Sequence, residues 1–185
     1  MVLITHSGPA TLKIGSAAPD FKLPATDGGV RTLASFAGSR VLVLNFTCNH
    51  CPYAQAYEDR FIALAAEFGP KGVAFAAVSP NDAKTYPADS FESMKQRAEE
   101  RNYPFPYLYD EAQSAARAYG AVCTPHVFVF DASRKLAYEG RIDDNWKNPD
   151  AVKARDLRAA IEAVLAGNPV PTPQTNPMGC SIKWK

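Results

Sequence analysis

The chain is poor in cysteine, with only four among its 185 residues. That is too few for a disulfide scaffold, so catalytic or metal-binding use is expected instead of cross-linking. A charge excess is also missing. The formal net charge is +1 and no Lys/Arg cluster stands out, so neither nucleic acid nor an anionic membrane is an expected partner. No apolar run approaches the roughly 18 residues of a membrane span. Met1 to Pro9 shows no charged start followed by an apolar stretch, so no secretory signal is expected and the cytoplasm is the expected compartment. Internal repeats and long linkers are absent too. That predicts one domain over residues 1–185, with a core at about 14–167 and a proline-rich tail over 168–185. Hydrophobic residues at 46% and charged residues at 21% are ordinary for a globular chain able to bury a sizeable core.

What the sequence does contain is Cys48-Asn49-His50-Cys51-Pro52, set between the apolar run Val41–Phe46 and an amphipathic segment. Two thiols at Cys-x-x-Cys spacing can close into a disulfide and reopen. A helix start beside them favours the thiolate, the reactive form. Strand, then Cys-x-x-Cys, then helix is the context that makes the motif a redox site.

The periodicity predicts the elements around it. Ala18–Leu23 and Val30–Leu33 alternate about Asp27-Gly28-Gly29, as a hairpin would. Tyr53, Tyr57, Phe61, Leu64 and Phe68 form one helical stripe, closed by Gly69-Pro70. Gly72–Val78 reads as a second buried strand with Ser79-Pro80-Asn81-Asp82 as its exit loop. A helix over Ser90–Arg101 has Ser90 as N-cap, and Glu111–Tyr119 forms a short helix ending at Gly120. Val127–Phe130 and Lys135–Arg141 pair as strands, and Asp150–Ala166 is the last helix with Gly167 closing it. Residues 1–16 are expected to be irregular or an edge segment, and the tail to run over the surface. The order predicts an α/β fold with a central mixed sheet between helices and an N-terminal β-hairpin.

With Thr124-Pro125 directly before the strand 127–130, the sequence resembles the thioredoxin superfamily. The hairpin start Ala18–Leu23, the Ser79–Asp82 loop, the Cys-Asn-His-Cys-Pro-Tyr run and the Gly-Cys-Ser-Ile-Lys-Trp tail are similar to a peroxiredoxin-like (redoxin, AhpC/TSA-type) subgroup. The resemblance implies a thioredoxin-like fold, a cis Thr124–Pro125 bond facing the cysteines, and thiol chemistry without a cofactor. It further implies that the backbone before Pro125 holds an extended substrate by strand-like hydrogen bonds. One departure bears on activity. The positions where peroxiredoxins carry Pro and Thr/Ser before the reactive cysteine are Leu44 and Cys48 for Cys51, and Val41 and Asn45 for Cys48. The position of the peroxide-orienting Arg falls near Pro125. Disulfide exchange is therefore favoured over efficient peroxide reduction. The expected partners are protein or small-molecule disulfides, with thioredoxin or glutathione as reductant; a homodimer is left open.

Either thiol can be the nucleophile. The usual thioredoxin reading takes Cys48, whereas the register from Asn45, with Pro52 at the first helical position, takes Cys51 and is favoured. His50 is either a thiolate-stabilising donor or a solvated loop residue. Cys123 reads as a small buried hydrophobe or an auxiliary thiol, and Cys180 as a resolving thiol or as part of a tail anchored by Ile182 and Trp184. His126 reads as a packed strand residue, and Asp143-Asp144 as a candidate rim. Asn45 stands near where related enzymes hold a buried carboxylate. Weak thiol peroxidase activity is one alternative. A copper or zinc module built from Cys48, Cys51 and His126 or His50 is another of a different class, although no resident metal is assigned.

Overall fold

A computed structural model describes residues 12–185. The chain runs through β1 (Lys22–Pro24), β2 (Val30–Thr32), β3 (Val41–Phe46), α1 (Pro52–Phe68), β4 (Val73–Ser79), α2 (Phe91–Glu100) and β5 (Tyr107–Tyr109). It continues through α3 (Ser114–Tyr119), β6 (Cys123–Thr124), β7 (His126–Phe130), β8 (Leu136–Gly140), α4 (Asp156–Leu165) and β9 (Cys180–Ser181). The central sheet has the order β5-β4-β3-β7-β8. β3, β4 and β5 are parallel, while β7 and β8 are antiparallel. This is the thioredoxin-like mixed sheet that the sequence implies.

β3 lies at the centre, and all six of its residues are buried. Its period of two divides the core. Leu42, Leu44 and Phe46 face Phe128, Phe130, Tyr119 and the β1 residue Leu23. Val41 and Val43 face the α1 stripe of Tyr57, Phe61, Leu64 and Phe68, with Leu157 and Ile161 from α4. A strand covered on both faces has no room for polar alternation, which is why Val41–Phe46 reads as one apolar run. α2 packs beside β5 through Met94 and Tyr107. It is tied to α1 by a two-pronged ion pair from Arg97 to Glu58, with both contacts 2.8 Å.

The structure departs from the sequence expectations in four places. β5 was not anticipated, because it has only three residues and lies just after Pro104 and Pro106. The short helix begins at Ser114 instead of Glu111, because Gln113 adopts a left-handed conformation (φ 61°) and the Asp110 carboxylate accepts from the Ala116 N–H. The last helix starts at Asp156. Pro149–Ala151 forms a 3₁₀ turn, and the stretch after it is drawn out by pairing with Asp144, which takes the Lys153 N–H and donates to the Ala154 carbonyl. The tail does not run free. Pro173 and Thr175 bond to Glu139 of β8, and β9 pairs antiparallel with β6. Of the expected irregular segment at residues 1–16, residues 1–11 lie outside the described ones, and Gly15 and Ser16 bond to Leu136 along the β8 edge.

The two-sided core yields a direct test. Phe128→Ala removes a fully buried ring that meets Phe46 and Tyr119 edge-on, and should cost roughly 3–5 kcal/mol. Denaturant unfolding with an unchanged slope is the measurement; a loss below about 1 kcal/mol would contradict this packing.

Candidate active site

The cysteine loop leaves the C-terminal end of β3, where Thr47 still pairs with Val78 (2.8 Å), and it ends at the start of α1. Cys51 is the N-cap residue with extended backbone, and Pro52 occupies the first helical position, where its missing N–H costs nothing. The Gln55 side chain closes the loop from inside α1 by donating to the Asn49 carbonyl at 2.7 Å.

The opposite wall is the Thr124–Pro125 turn, whose peptide bond is cis. Thr124 contacts both sulfurs. Its hydroxyl lies 3.3 Å from Cys48 Sγ and its carbonyl oxygen 3.0 Å from Cys51 Sγ. Cys51 is fully buried and Cys48 almost so, at 4% exposure.

These surroundings separate the two thiols. The Cys51 pKa is lowered to about 5, first because the Cys48 thiol donates to its sulfur. Burial opposes the thiolate, and further donation from the Cys180 thiol and from the N–H groups of Ala54 and Cys180 favours it. As a neutral thiol, Cys51 instead donates to the Thr124 carbonyl. Each protonation state therefore has its own partner set, and the richer set belongs to the anion. Cys48 moves the other way. Its donation to Cys51, its burial and the negative charge of Asp89 all keep it protonated well above the ordinary thiol range.

Asp89 is the residue that sequence reasoning missed. It stands in a 3₁₀ turn just before α2, is fully buried, and accepts from the loop at every position it can. One oxygen takes the N–H groups of Asn49 (2.8 Å) and His50 (3.2 Å). The other takes His50 Nδ1 (2.5 Å) and Asn81 Nδ2 (2.8 Å). Asn49 is fixed further by the Ala88 carbonyl and the Tyr107 hydroxyl. An acid ahead of a serine N-cap carries no local sign of such a role. The placement of Asn81 in the loop after a strand adjoining β3 was the only available hint.

His50 is thus neither free in solvent nor aimed at Cys51. Its ring is turned to Asp89 and stacked on Tyr86, with centroids 5.1 Å apart. Ligand atoms of Cys48, His50 and Asp89 all lie within 4.8 Å of one another, the spacing of a metal site. Asp89's acceptor positions are already filled by N–H donors, and Cys48 is held as a thiol, so the cluster is built for hydrogen bonding. His126, the other candidate ligand, is engaged at both nitrogens. Nδ1 accepts from Val122 N and Nε2 faces Glu139 at 2.7 Å.

The remaining candidates divide. Cys123 is buried, donates to the Pro125 carbonyl (3.5 Å), and is pushed up foremost by burial. Cys180, like Tyr53, packs against the cluster of Cys48, Cys51 and Ala54. Asp143 and Asp144 do not form a rim. Asp143 holds Arg60 at 2.6 Å and accepts the Tyr57 hydroxyl through its carbonyl, while Asp144 holds the lead-in to α4. The rim there is Trp146, lying against Tyr53 with centroids 4.3 Å apart. Asn45 Oδ1 is buried without a hydrogen-bond partner among the described residues, beside a small cavity shared with Cys48 and Tyr57.

Asp89→Asn preserves the side-chain outline and removes the charge. It should lower the Cys48 pKa and cost roughly 1–3 kcal/mol, because a neutral amide cannot accept all of these bonds. Residue-resolved alkylation across pH, with mass-spectrometric readout, tests the first effect; an unmoved Cys48 profile would contradict it.

Among curated proteins none matches this chain. The AhpC/TSA family model matches residues 14–139. An uncharacterized conserved protein from Geobacillus kaustophilus is 46% identical, with 94% of this chain and 93% of that chain covered and a TM-score of 0.89. A hypothetical protein from Sinorhizobium meliloti 1021 is 39% identical over 95% and 97% of the two chains, with a TM-score of 0.90. A structure assigned as a thiol:disulfide interchange protein DsbE, from Chlorobium tepidum, is 28% identical over 84% and 99%, with a TM-score of 0.63. With its thioredoxin-like sheet and a family match over most of its length, the chain belongs to the AhpC/TSA family.

Proposed function

We propose that this protein is a thiol-disulfide oxidoreductase in which Cys51 is the nucleophile and Cys48 the resolving thiol. One observation carries the reading: Thr124 holds both sulfurs at one place, its hydroxyl 3.3 Å from Cys48 Sγ and its carbonyl oxygen 3.0 Å from Cys51 Sγ, and there the two pKa values are driven apart, one down to about 5 and the other up. At neutral pH the pair then holds one thiolate and one thiol, the state from which exchange starts.

The Cys51 thiolate attacks one sulfur of a substrate disulfide. A mixed disulfide forms, and the other substrate sulfur leaves as a thiolate that takes a proton from water. Cys48 then attacks the Cys51 sulfur, its proton passing to the substrate sulfur that leaves. The Cys48–Cys51 disulfide forms, the second substrate sulfur departs, and two electrons have passed from the protein to the substrate. The Asp89 anchor keeps the loop in place throughout. A protein or small-molecule disulfide fits the substrate role, and thioredoxin or glutathione fits the reductant role. Peroxide reduction is the weaker reading. Among the described residues the partners of Cys51 are thiols, amide N–H groups and the Thr124 carbonyl, with no guanidinium to polarise a peroxide.

Alkylation of the reduced protein at limiting reagent should label Cys51 first. Its rate should rise with pH through a midpoint near 5 and then level off. Cys48→Ala should shift that midpoint upward by removing the leading donor. Labelling of Cys48 ahead of Cys51 would overturn the assignment of roles.

A further inference from the structure

The strand edge before Pro125, expected to receive a substrate peptide, is already occupied by the chain's own tail. β9 pairs antiparallel with β6, with Thr124 opposite Cys180 and Cys123 opposite Ser181. The tail is held firmly there. Ile182 is buried in the core, and the Lys183 N–H donates to Asn81 Oδ1 at 2.9 Å. The Lys183 carbonyl accepts from Asp82 N and Gln113 Nε2, both at 2.9 Å, and Trp184 lies under the Arg117 guanidinium. Gly179 is required for this approach, because a Cβ at that position would overlap the Thr124 carbonyl. Cys180 thus occupies the place of a substrate cysteine. Cys180 packs against the cluster of Cys48, Cys51 and Ala54, and it helps to lower the Cys51 pKa.

We propose that β9 is a built-in substrate strand and that Cys180 is a third catalytic thiol, which forms a disulfide with Cys51 in competition with Cys48. The proposal rests on Cys51 being the nucleophile. Starting from the Cys48–Cys51 disulfide, the Cys180 sulfur attacks Cys51. The 51–180 bond forms, the 48–51 bond breaks, and the proton of Cys180 ends on Cys48. No electrons are gained or lost and no further reactant is needed.

Accessibility gives the exchange its use. Cys51 is fully buried and Cys48 nearly so, while Cys180 is partly exposed. An external thiol attacking Cys180 in the 51–180 disulfide expels Cys51, the thiol with the lowest pKa of the three and so the fastest to leave. Cys180, raised to about 11, is correspondingly a donor to Cys51 until it is called on to react. The buried pair thereby exchanges with thiols outside while the tail stays docked. The substrates this favours are small disulfides that reach Cys180, because an extended protein segment finds its strand edge taken.

The test uses the reduced full chain with limiting glutathione disulfide, acid quenching, alkylation and disulfide mapping. Wild type should show both 48–51 and 51–180 bonds. Cys48→Ser, with its fold verified by circular dichroism, should yield 51–180. Gly179→Val should reduce the 51–180 yield about tenfold relative to 48–51, because docking supplies the effective concentration of Cys180. A Cys48→Ser protein that stops at a glutathione adduct on Cys51, with Cys180 free and wild type forming only 48–51, would overturn the proposal and leave the proposed function standing. A 51–180 bond with no 48–51 bond in wild type would do the reverse, supporting the third thiol and removing the Cys-x-x-Cys reading.

Discussion

The placement of the Cys48 and Cys51 thiols together against Thr124 sets the chemistry of both groups. It stabilises one residue as an anion by keeping the other protonated, so neither role exists without the other. Burial alone would raise both thiols and make both inert. The arrangement holds only if the loop keeps the two sulfurs in register, and that register is maintained from two sides. Asp89 grips the loop backbone from the α2 side, and Thr124 touches both sulfurs from the β7 side. The sheet serves this arrangement by bringing β3 and β7 side by side, with Phe46 opposite His126, so that the cysteine loop and the Thr124–Pro125 turn leave neighbouring strands at one end.

Asp89 does two things with one charge. It accepts the loop N–H groups, and its field raises Cys48, widening the gap between the thiols. The same carboxylate connects to the tail, because Asn81 donates to Asp89 while accepting from Lys183. The cysteine loop, the loop after β4 and the C-terminal strand are therefore one hydrogen-bonded unit. A change at the tail reaches the thiols through Asn81 and Asp89 as well as through Cys180.

Much of this was legible in the sequence where the signal is local and repeated. β3 and β4 are apolar runs and α1 carries an apolar stripe at helical spacing, so their burial follows from the sequence, while α2 is marked by its Ser90 N-cap. The Cys-x-x-Cys motif and Pro52 are contiguous, and the cis Thr124–Pro125 bond followed from family resemblance. What escaped depends on single residues meeting across the fold. Asp89 and Asn81 read as ordinary turn residues, because their partners are fixed only when α2 docks on α1. β5 and β9 are three and two residues long, too short for any periodicity. Cys180 was visible as a thiol, but its position opposite Thr124 requires the tail to cross the sheet edge, and the sequence shows that only as a glycine at 179. His50 was recognised as part of the site. Its partner is Asp89, not a thiolate, because the carboxylate is the stronger acceptor within reach.

The reduction potential of the Cys48–Cys51 pair tests the account most directly, by equilibration with glutathione and mass-spectrometric counting of each cysteine. Stabilising the Cys51 thiolate stabilises the reduced form and makes the disulfide more oxidising. Exchange enzymes span about −270 to −120 mV, and the depressed Cys51 pKa predicts a value in the upper half, roughly −200 to −120 mV. A potential at or below about −270 mV would contradict the claim that the paired thiols hold Cys51 as a thiolate.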